Sequence, residues 1–297
     1  MRALVIGAGA AGGIHARCLR EREVQVFVYD EDAAKAQRLA ADTGQLAVSG
    51  VGGDYDFSVV AVRPDQHFNV ARQEVWAGRG AIVIEKPLCL RASNAWDLVD
   101  LARREQVPLY VAESQAYGGE PSAEQMRELV QKGEFGRPVM WSVAAMTKYR
   151  PQSWCGTLAQ GGGAFMEGGV HVLTVGRMLF GEPVKWGGAF RSLRGEAPDM
   201  GVALVEYRDG DLLSLEIGWG TEGCFEGACD AIPNRAAIIG PELCIPWWPG
   251  DNHGAMWDRL LRCIEGAGEP AATVFEAAGA VADVWACYEA AGLEVPK

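Results

Sequence analysis

The feature that most constrains this chain is a glycine-rich turn near the amino terminus. Residues 2–6 predict a short strand, and a helix is predicted from the turn to about Arg22. One glycine permits a tight turn, a second lets the backbone approach a pyrophosphate, and a third lets the helix pack closely on the strand. The first amides of the helix are free to bind phosphate oxygens. The predicted cofactor contacts here are Gly7, Gly9, Ala10, Ala11 and Gly12.

A carboxylate at the end of the second predicted strand narrows the choice of cofactor. The strand covers Val24 to Tyr29 and ends at Asp30. A carboxylate there accepts hydrogen bonds from both ribose hydroxyls of adenosine and repels a 2′-phosphate. The sequence therefore predicts NAD and disfavours NADP. The alternative is a glycine-rich turn that binds no ligand.

Strand and helix patterns alternate over residues 1–115, which predicts a parallel sheet. After Tyr117 the segments become more strand-like, and Asp209-Gly210 predicts a hairpin turn. The expected fold class is an α/β Rossmann dinucleotide-binding domain plus a C-terminal α+β domain with a mostly antiparallel open sheet. The predicted domains are residues 1–117, which bind NAD, and residues 118–297, which bind substrate and mediate oligomerisation. The final helices are free to pack back on the first domain.

Three local features of helices are also predicted. Ser93 is expected to cap the helix that precedes the sixth strand. A single helix is expected over Ala164–Phe180, after three consecutive glycines. His253 is expected to cap the penultimate helix, with contact to the cleft as the alternative.

Glu85-Lys86-Pro87 closes a short apolar strand that is predicted to be buried on both faces. The proline ends the strand and keeps the preceding residue extended. Lys86 should therefore leave the sheet at a carboxyl strand end, where open α/β sheets bind ligands, and its amine can exchange protons with a substrate. The alternative is a solvated lysine paired with Glu85.

A second group of candidate residues lies on the helix that follows the three glycines. Glu167 and His171 are four residues apart, so one helical face carries a carboxylate and an imidazole. Such a pair can hydrogen bond to a polyhydroxylated ligand, and the histidine can relay a proton. Trp154, just before the glycines, is a candidate for stacking on a ligand. The alternative is a glutamate that complements the helix dipole and a histidine satisfied in a domain interface.

Charge and cysteine content exclude several classes of protein. The net charge of −12 disfavours nucleic acid and anionic membranes as partners. No signal peptide or membrane span is predicted, so the expected location is cytoplasmic. The eight cysteines are scattered, and Cys224 and Cys229 form the only close pair. We therefore predict reduced cysteines and no metal site.

In these features the chain resembles the glucose–fructose oxidoreductase / inositol dehydrogenase / rhizopine-catabolism (Gfo/Idh/MocA) family. The resemblance spans nearly the whole chain. Its most specific parts are the Glu-Lys-Pro element and the triple glycine followed by a histidine. The residues that carry it are Gly7, Gly9, Gly12, His15, Asp30, Pro64, His67, Glu85-Lys86-Pro87, Gly133–Pro138, Gly161–Ala164, Glu167, Gly169–His171 and Ile239-Gly240.

The resemblance implies a Rossmann domain, an open-sheet second domain and a homodimer or homotetramer formed through that sheet. It implies that Lys86 donates and accepts a proton and that His171 binds substrate or assists. It also implies a cis bond before Pro87. Further cofactor contacts are predicted near the nicotinamide position, at Arg63, Pro64, His67, Glu85 and Lys86. The predicted catalytic residues are Lys86, His171 and Glu167, and the predicted substrate contacts are the same three with Trp154.

Two departures from the family pattern bear on the substrate. Glu167 stands where the family usually has aspartate, and Ala116–Gly119 replaces a common arginine-phenylalanine pair. The leading hypothesis is an NAD(P)-dependent oxidoreductase acting on a sugar, cyclitol or related polyol. One alternative keeps the fold and NAD for transient oxidation in elimination or glycoside cleavage, or for imine or tetrapyrrole reduction. Another is a non-catalytic NAD-sensing regulator.

Overall fold

The computed structural model describes residues 1–148, 154–220 and 235–295, and it contains two six-stranded sheets. The elements that build the first sheet and its helices are β1 (Arg2–Ile6), α1 (Ala10–Arg20), β2 (Gln25–Tyr29), α2 (Ala33–Thr43), β3 (Leu46–Ala47), β4 (Phe57–Val60), α3 (Pro64–Trp76), β5 (Ile82–Glu85), α4 (Ala92–Arg104) and β6 (Leu109–Ala112).

The first sheet is doubly wound. Its strand order is β3-β2-β1-β4-β5-β6, and all of its strand pairs are parallel. All residues of β4 and β5 are buried, as expected for strands covered by helices on both faces. The order reverses between β1 and β4, and open α/β sheets bind ligands at such a reversal, beyond the carboxyl strand ends.

The remaining elements form the second sheet and the helices around it. A short 3₁₀ turn at Ser114–Tyr117 leads into them. They are α5 (Ala123–Gln131), β7 (Met140–Lys148), α6 (Val170–Phe180), β8 (Pro183–Arg191), β9 (Met200–Tyr207), β10 (Leu212–Gly220), β11 (Arg235–Ile239), β12 (Cys244–Pro246), α7 (His253–Ile264) and α8 (Val274–Ala290).

The second sheet has the strand order β12-β11-β7-β10-β9-β8. Its strand pairs are antiparallel except for β7 with β10, which run parallel, so the predicted mostly antiparallel sheet is confirmed. The predicted hairpin turn at Asp209-Gly210 joins β9 to β10, with the left-handed conformation at Gly210.

The two last helices pack back against the first sheet and its helices. Trp257 of α7 is fully buried in the apolar cluster that includes strands β1 and β4. Nε of Arg22 donates to the Asp258 carboxylate at 2.7 Å, which ties α1 to α7. Trp285 of α8 donates its indole N–H to the carbonyl of Leu90 at 2.8 Å, just beyond the Glu-Lys-Pro element.

Some local predictions are wrong, for identifiable reasons. Ser93 lies inside α4, which begins one residue earlier with Arg91 at its cap. The predicted helix over Ala164–Phe180 is confirmed, but it contains a π-helical turn at Phe165–Gly169 that the sequence did not predict. There a methyl group on Gly169 would lie 3.1 Å from the Phe165 ring, so glycine relieves a tight contact in this turn. Strand β12 was not predicted, because it has only three residues and ends in proline.

Candidate active site

A cleft of about 1310 Å³ opens at the carboxyl edge of the first sheet and extends to residues of the second domain. The predicted site residues that line it are Gly7, Gly9, Ala10, Ala11, Asp30, Arg63, Pro64, Glu85, Lys86, Trp154 and Glu167. Gly12, His67 and His171 are not among its lining residues. The structure therefore brings the glycine turn, Asp30 and Lys86 to one cleft with Trp154 and Glu167.

The three glycines of the turn have separate structural roles. Gly7 has φ of +109°, and a methyl group there would collide with the carbonyl of Ala61 on the neighbouring chain segment. A methyl group on Gly12 would collide with the carbonyl of Gly7, so close packing of α1 requires this glycine. Gly9 has no atom within 4 Å of the position a methyl group would take, so its face is open to a ligand. This open cradle at the start of α1 fits a dinucleotide pyrophosphate.

Asp30 is oriented by the backbone on both sides. One carboxylate oxygen accepts from the amide of Ala8 at 2.8 Å, and the other accepts from the amide of Asp32 at 2.9 Å. The side chain is half-buried and lines the cleft beside the glycine turn. Each oxygen keeps a free lone pair, so the fixed carboxylate fits the adjacent ribose hydroxyls of a nucleotide.

Lys86 stands where β5 ends, and its side chain crosses towards the second domain. The Lys86–Pro87 peptide bond is cis, in agreement with what the family resemblance implies. The ammonium nitrogen donates to the backbone carbonyl of Glu167 at 2.8 Å. Within the described ranges, Lys86 forms no ion pair with Glu85. The alternative of a surface lysine paired with Glu85 therefore does not describe this side chain.

The carboxylate of Glu85 is hydrogen bonded to His15 and to the backbone amide of Lys86. Its Oε1 lies 2.8 Å from Nε2 of His15, and its Oε2 accepts the amide N–H of Lys86 at 3.0 Å. Burial raises the pKa of Glu85, but the hydrogen bond with His15 and nearby positive charges outweigh burial and lower it to about 2. Glu85 is therefore ionised at neutral pH.

His67 is buried beneath the turn that carries Lys86. Nδ1 lies 2.8 Å from the carbonyl of Pro87, and Nε2 lies 3.0 Å from the carbonyl of Val62. Burial lowers the pKa of the imidazole, against the effect of the two carbonyls. These contacts place His67 between β4 and the Glu-Lys-Pro element, and its predicted contact with the cofactor stays a prediction.

Glu167 and His171 each have a partner of their own. One carboxylate oxygen of Glu167 accepts the indole N–H of Trp219 at 3.0 Å. Nδ1 of His171 donates to Oε1 of Glu113 at 2.5 Å, and Glu113 is 1% exposed. Sequence reasoning missed Glu113. Its signal was a polar residue directly after the buried end of β6, which is the same signal that selected Lys86 after β5.

His253 does not cap α7, so that prediction is wrong. The side chain of Asn252 caps the helix by accepting the amide of Ala255 at 2.9 Å, and His253 is the first helical residue. The ring of His253 lies instead 6.3 Å from the ring of His15. Burial lowers its pKa, although the charge of Glu85 acts in the opposite direction.

The pair Cys224 and Cys229 lies outside the described residues. The described cysteines form no disulfide with one another. Across residues 1–148, 154–220 and 235–295, no group of three or more His, Cys, Asp or Glu side chains is arranged to hold a metal ion. Over the same ranges, no helix is both long and apolar enough to cross a membrane.

The doubly wound sheet, the open glycine turn and the cleft define a dinucleotide-binding protein with a second α+β domain. Residues 1–113 match a family model described as an oxidoreductase family with an NAD-binding Rossmann fold, and residues 123–242 match the C-terminal domain of the same family. The chain belongs to the GFO/IDH/MocA oxidoreductase family, and its first domain is an NAD-binding Rossmann domain. The resemblance, the fold class, the enzyme class and the NAD cofactor predicted from the sequence are confirmed.

Characterised relatives are distant and longer than the matched part of this chain. The rhizopine catabolism protein MocA of Rhizobium meliloti is 28% identical over 190 residues, which cover 60% of this chain and 56% of that protein. The D-glucoside 3-dehydrogenase of Escherichia coli is 26% identical over 198 residues, which cover 62% and 55% respectively. The chain thus spans about half the length of the curated relatives it matches.

Solved structures share the fold over nearly the whole chain. GenD2 from gentamicin A biosynthesis, in complex with NAD, has a TM-score of 0.84 at 23% identity, covering 98% of this chain and 94% of that one. The WlbA dehydrogenase from Bordetella pertussis, in complex with NADH and UDP-GlcNAcA, has a TM-score of 0.83 at 22% identity, covering 100% and 98%.

Proposed function

We propose that this protein is an NAD-dependent oxidoreductase that acts at a hydroxyl- or carbonyl-bearing carbon of a sugar, cyclitol or related polyol. One observation carries the proposal. The ammonium group of Lys86 lies between the NAD-binding sheet and the second domain, 2.8 Å from the carbonyl of Glu167. A proton carrier is thereby held at the carboxyl edge of the sheet, where a reacting carbon would meet the cofactor.

The residues of the cleft fit both the adenosine half and the nicotinamide half of the cofactor. Ala10 and Ala11 line the cleft beside the open Gly9, and their amides would bind the pyrophosphate. Asp30 would accept the adenosine ribose hydroxyls. When bound, NAD supplies the hydride acceptor, or NADH the hydride donor, for the substrate carbon. Arg63 and Pro64 line the same cleft towards Lys86.

Lys86 would take the hydroxyl proton during oxidation and return it during reduction. Its contact with a backbone carbonyl supports this role, because a carbonyl orients the ammonium group but does not compete for the proton. His171, held by Glu113, would bind or polarise a substrate oxygen through Nε2. Nδ1 of His171 is taken by Glu113, so Nε2 is the ring nitrogen that would meet a substrate, although the side chain is 8% exposed and lies behind the residues that line the cleft.

The side chains of the second domain that line the cleft support a polyhydroxylated substrate. Glu167 offers a carboxylate oxygen, and Trp154 is a half-buried aromatic ring lining the same cleft. Carboxylates accept from hydroxyl groups, and indole rings cover the apolar faces of sugars. The relative named D-glucoside 3-dehydrogenase and the neighbour bound to UDP-GlcNAcA point to the same class of compound.

The test is a panel of polyols, cyclitols, glycosides and nucleotide sugars, with their oxidised forms, scored by absorbance of the reduced cofactor. Turnover of at least one compound is expected, with NAD preferred to NADP. Mass analysis of the purified protein for retained cofactor distinguishes a transient-oxidation enzyme, which would hold NAD without net reduction of added cofactor. NAD binding without turnover of any compound in either direction would contradict the proposal.

A further inference from the structure

A chain of hydrogen bonds connects α7 to the backbone of Lys86. Nε1 of Trp257 donates to Nδ1 of His15 at 3.0 Å. Nε2 of His15 lies 2.8 Å from Oε1 of Glu85, and Oε2 of Glu85 accepts the amide of Lys86 at 3.0 Å. Trp257 and His15 are fully buried, and Glu85 is 8% exposed. These hydrogen bonds connect three elements, α7, α1 and β5, and they end at Lys86, the residue proposed to carry the proton.

The chemistry of each group sets the direction of every bond in this chain. An indole nitrogen only donates, so Nδ1 of His15 has to accept and carries no hydrogen. The one ring hydrogen of His15 is then on Nε2, which donates to Glu85. An ionised carboxylate only accepts, which suits both of its contacts. Trp257 thus selects the form of His15 in which Nδ1 accepts the indole N–H and the ring hydrogen on Nε2 faces Glu85.

The groups around His15 are consistent with this arrangement. His253 of α7 lies 6.3 Å away, ring to ring, and burial lowers its pKa below the usual value, so it adds little positive charge at neutral pH. The hydrogen bond with His15, together with the charges of His15, Lys86 and His171, lowers the pKa of Glu85 and favours its ionised form. Glu85 therefore accepts both of its hydrogen bonds, one from His15 and one from the Lys86 amide.

We propose that His15 and Trp257 are positioning residues that hold the peptide amide of Lys86, through Glu85, so that the lysine side chain leaves β5 towards the second domain. The inference rests on the proposed function, since it concerns the orientation of the proton carrier. Trp257 lies beyond both segments that match the family models, which end at residues 113 and 242. The late helix α7 would therefore contribute to the active site without lining the cleft.

The test compares the full-length protein with Trp257→Phe, which keeps an aromatic ring but removes the indole donor. Because the chain has four histidines, nitrogen NMR of ¹⁵N-histidine-labelled protein can resolve the state of each ring. The native His15 is expected in a single state, with the ring hydrogen on Nε2 and none on Nδ1. In Trp257→Phe, a mixture of tautomers or a doubly protonated ring is expected. Amide hydrogen exchange at Lys86 should become about tenfold faster, as for the loss of one buried hydrogen bond.

Turnover provides the second readout. With a substrate from the panel, kcat of Trp257→Phe should fall about tenfold while the NAD dissociation constant stays within about twofold. Trp141→Phe is the matched control, because Trp141 is also fully buried and its Nε1 has no hydrogen-bond partner in the described part of the chain. This control should leave the His15 tautomer and Lys86 exchange unchanged.

A second pair of variants decides the question if Trp257→Phe does not fold. His15→Gln can both accept from Trp257 and donate to Glu85, whereas His15→Leu can do neither. Slow exchange at Lys86 should persist in His15→Gln and be lost in His15→Leu. Equal exchange in the two variants, or an unchanged His15 tautomer in folded Trp257→Phe, would overturn the inference. If the native protein turns over no compound, the proposed function fails, but the NMR and exchange results still decide the network.

Discussion

Lys86 is bound at two separate points, and each contact controls a different part of the residue. Its amide is held by Glu85 from its own domain, and its ammonium group is held by the Glu167 carbonyl from the second domain. Neither contact is an ion pair with a carboxylate. The amine is therefore oriented across the cleft by a carbonyl, and no carboxylate of the described residues pairs with it.

The preference for NAD over NADP depends on a single side chain, the carboxylate of Asp30. Asp30→Ala should lower the preference for NAD over NADP by about tenfold, because it removes the negative charge that repels a 2′-phosphate. Fluorescence titration of the two cofactors measures the ratio. Asp97→Ala, at an exposed position of α4, is the control. An unchanged ratio in Asp30→Ala would refute the role given to Asp30.

The lowered pKa of Glu85 predicts a loss of stability in acid. A carboxyl group whose pKa falls from 4.5 to about 2 on folding stabilises the protein above pH 4.5. That contribution, about 3 kcal/mol, is lost as the pH falls towards 2. Urea unfolding between pH 5 and 3 should show a shallower pH dependence for Glu85→Gln than for the native protein. The exposed Glu134→Gln should keep the native slope.

At the scale of elements, the turn between β1 and α1 separates a folding role from a binding role. Gly12→Ala should destabilise the protein by at least about 2 kcal/mol, because its methyl group meets the Gly7 carbonyl in the closely packed turn. Gly9→Ala should leave the free energy of unfolding within about 0.5 kcal/mol but weaken NAD binding, because its methyl group would occupy the ligand side.

Urea unfolding and calorimetric titration with NAD measure the two effects. The two variants are controls for each other, since the same methyl group is added three residues apart. If Gly9→Ala lost stability and kept its NAD affinity, Gly9 would be a structural glycine and the cradle would lie elsewhere.

Sequence patterns predicted the elements best where the burial pattern was continuous. The parallel strands β1, β4, β5 and β6 follow from their apolar runs, and the glycine turn follows from its spacing. The π-helical turn at Phe165–Gly169 could not be predicted, because it depends on the approach of residues distant in the chain. A methyl group on Gly168, for example, would lie 3.2 Å from the side chain of Ile217 on β10.

Contacts between elements were also beyond the sequence. His15 was recognised as part of the family motif, but its contacts with Glu85 and Trp257 join positions 70 and 242 residues away along the chain. Glu113 was missed for a similar reason, since its partner His171 belongs to the other domain. The chemistry of single residues could be predicted from the sequence. Their hydrogen-bond partners could be identified only from the folded structure.

At the scale of the whole molecule, the second sheet leaves an apolar face exposed. Along β9 the side chains of Met200, Val202 and Leu204 are exposed, while those of Ala203 and Val205, on the opposite face, are buried. The predicted homodimer or homotetramer would cover this face, because monomers rarely expose contiguous apolar surface.

Light scattering after size-exclusion chromatography tests this prediction. The native protein should have the mass of two or four chains, and Leu204→Lys should shift it towards one chain. Trp76→Lys, which changes an exposed aromatic residue on α3 of the first domain, should leave the mass unchanged. A native mass of one chain would contradict the prediction.

The central claim is that Lys86 carries the proton in an NAD-dependent reaction, and turnover of Lys86→Met tests it most directly. Methionine keeps an unbranched apolar stem, one atom shorter than the lysine side chain, but cannot exchange a proton. Compared with Lys185→Met, at an exposed position of β8, Lys86→Met should lose at least about a hundredfold in kcat. Its NAD dissociation constant should stay within about twofold of the native value. Native turnover in Lys86→Met, or a loss of NAD binding as large as the loss of turnover, would contradict the account.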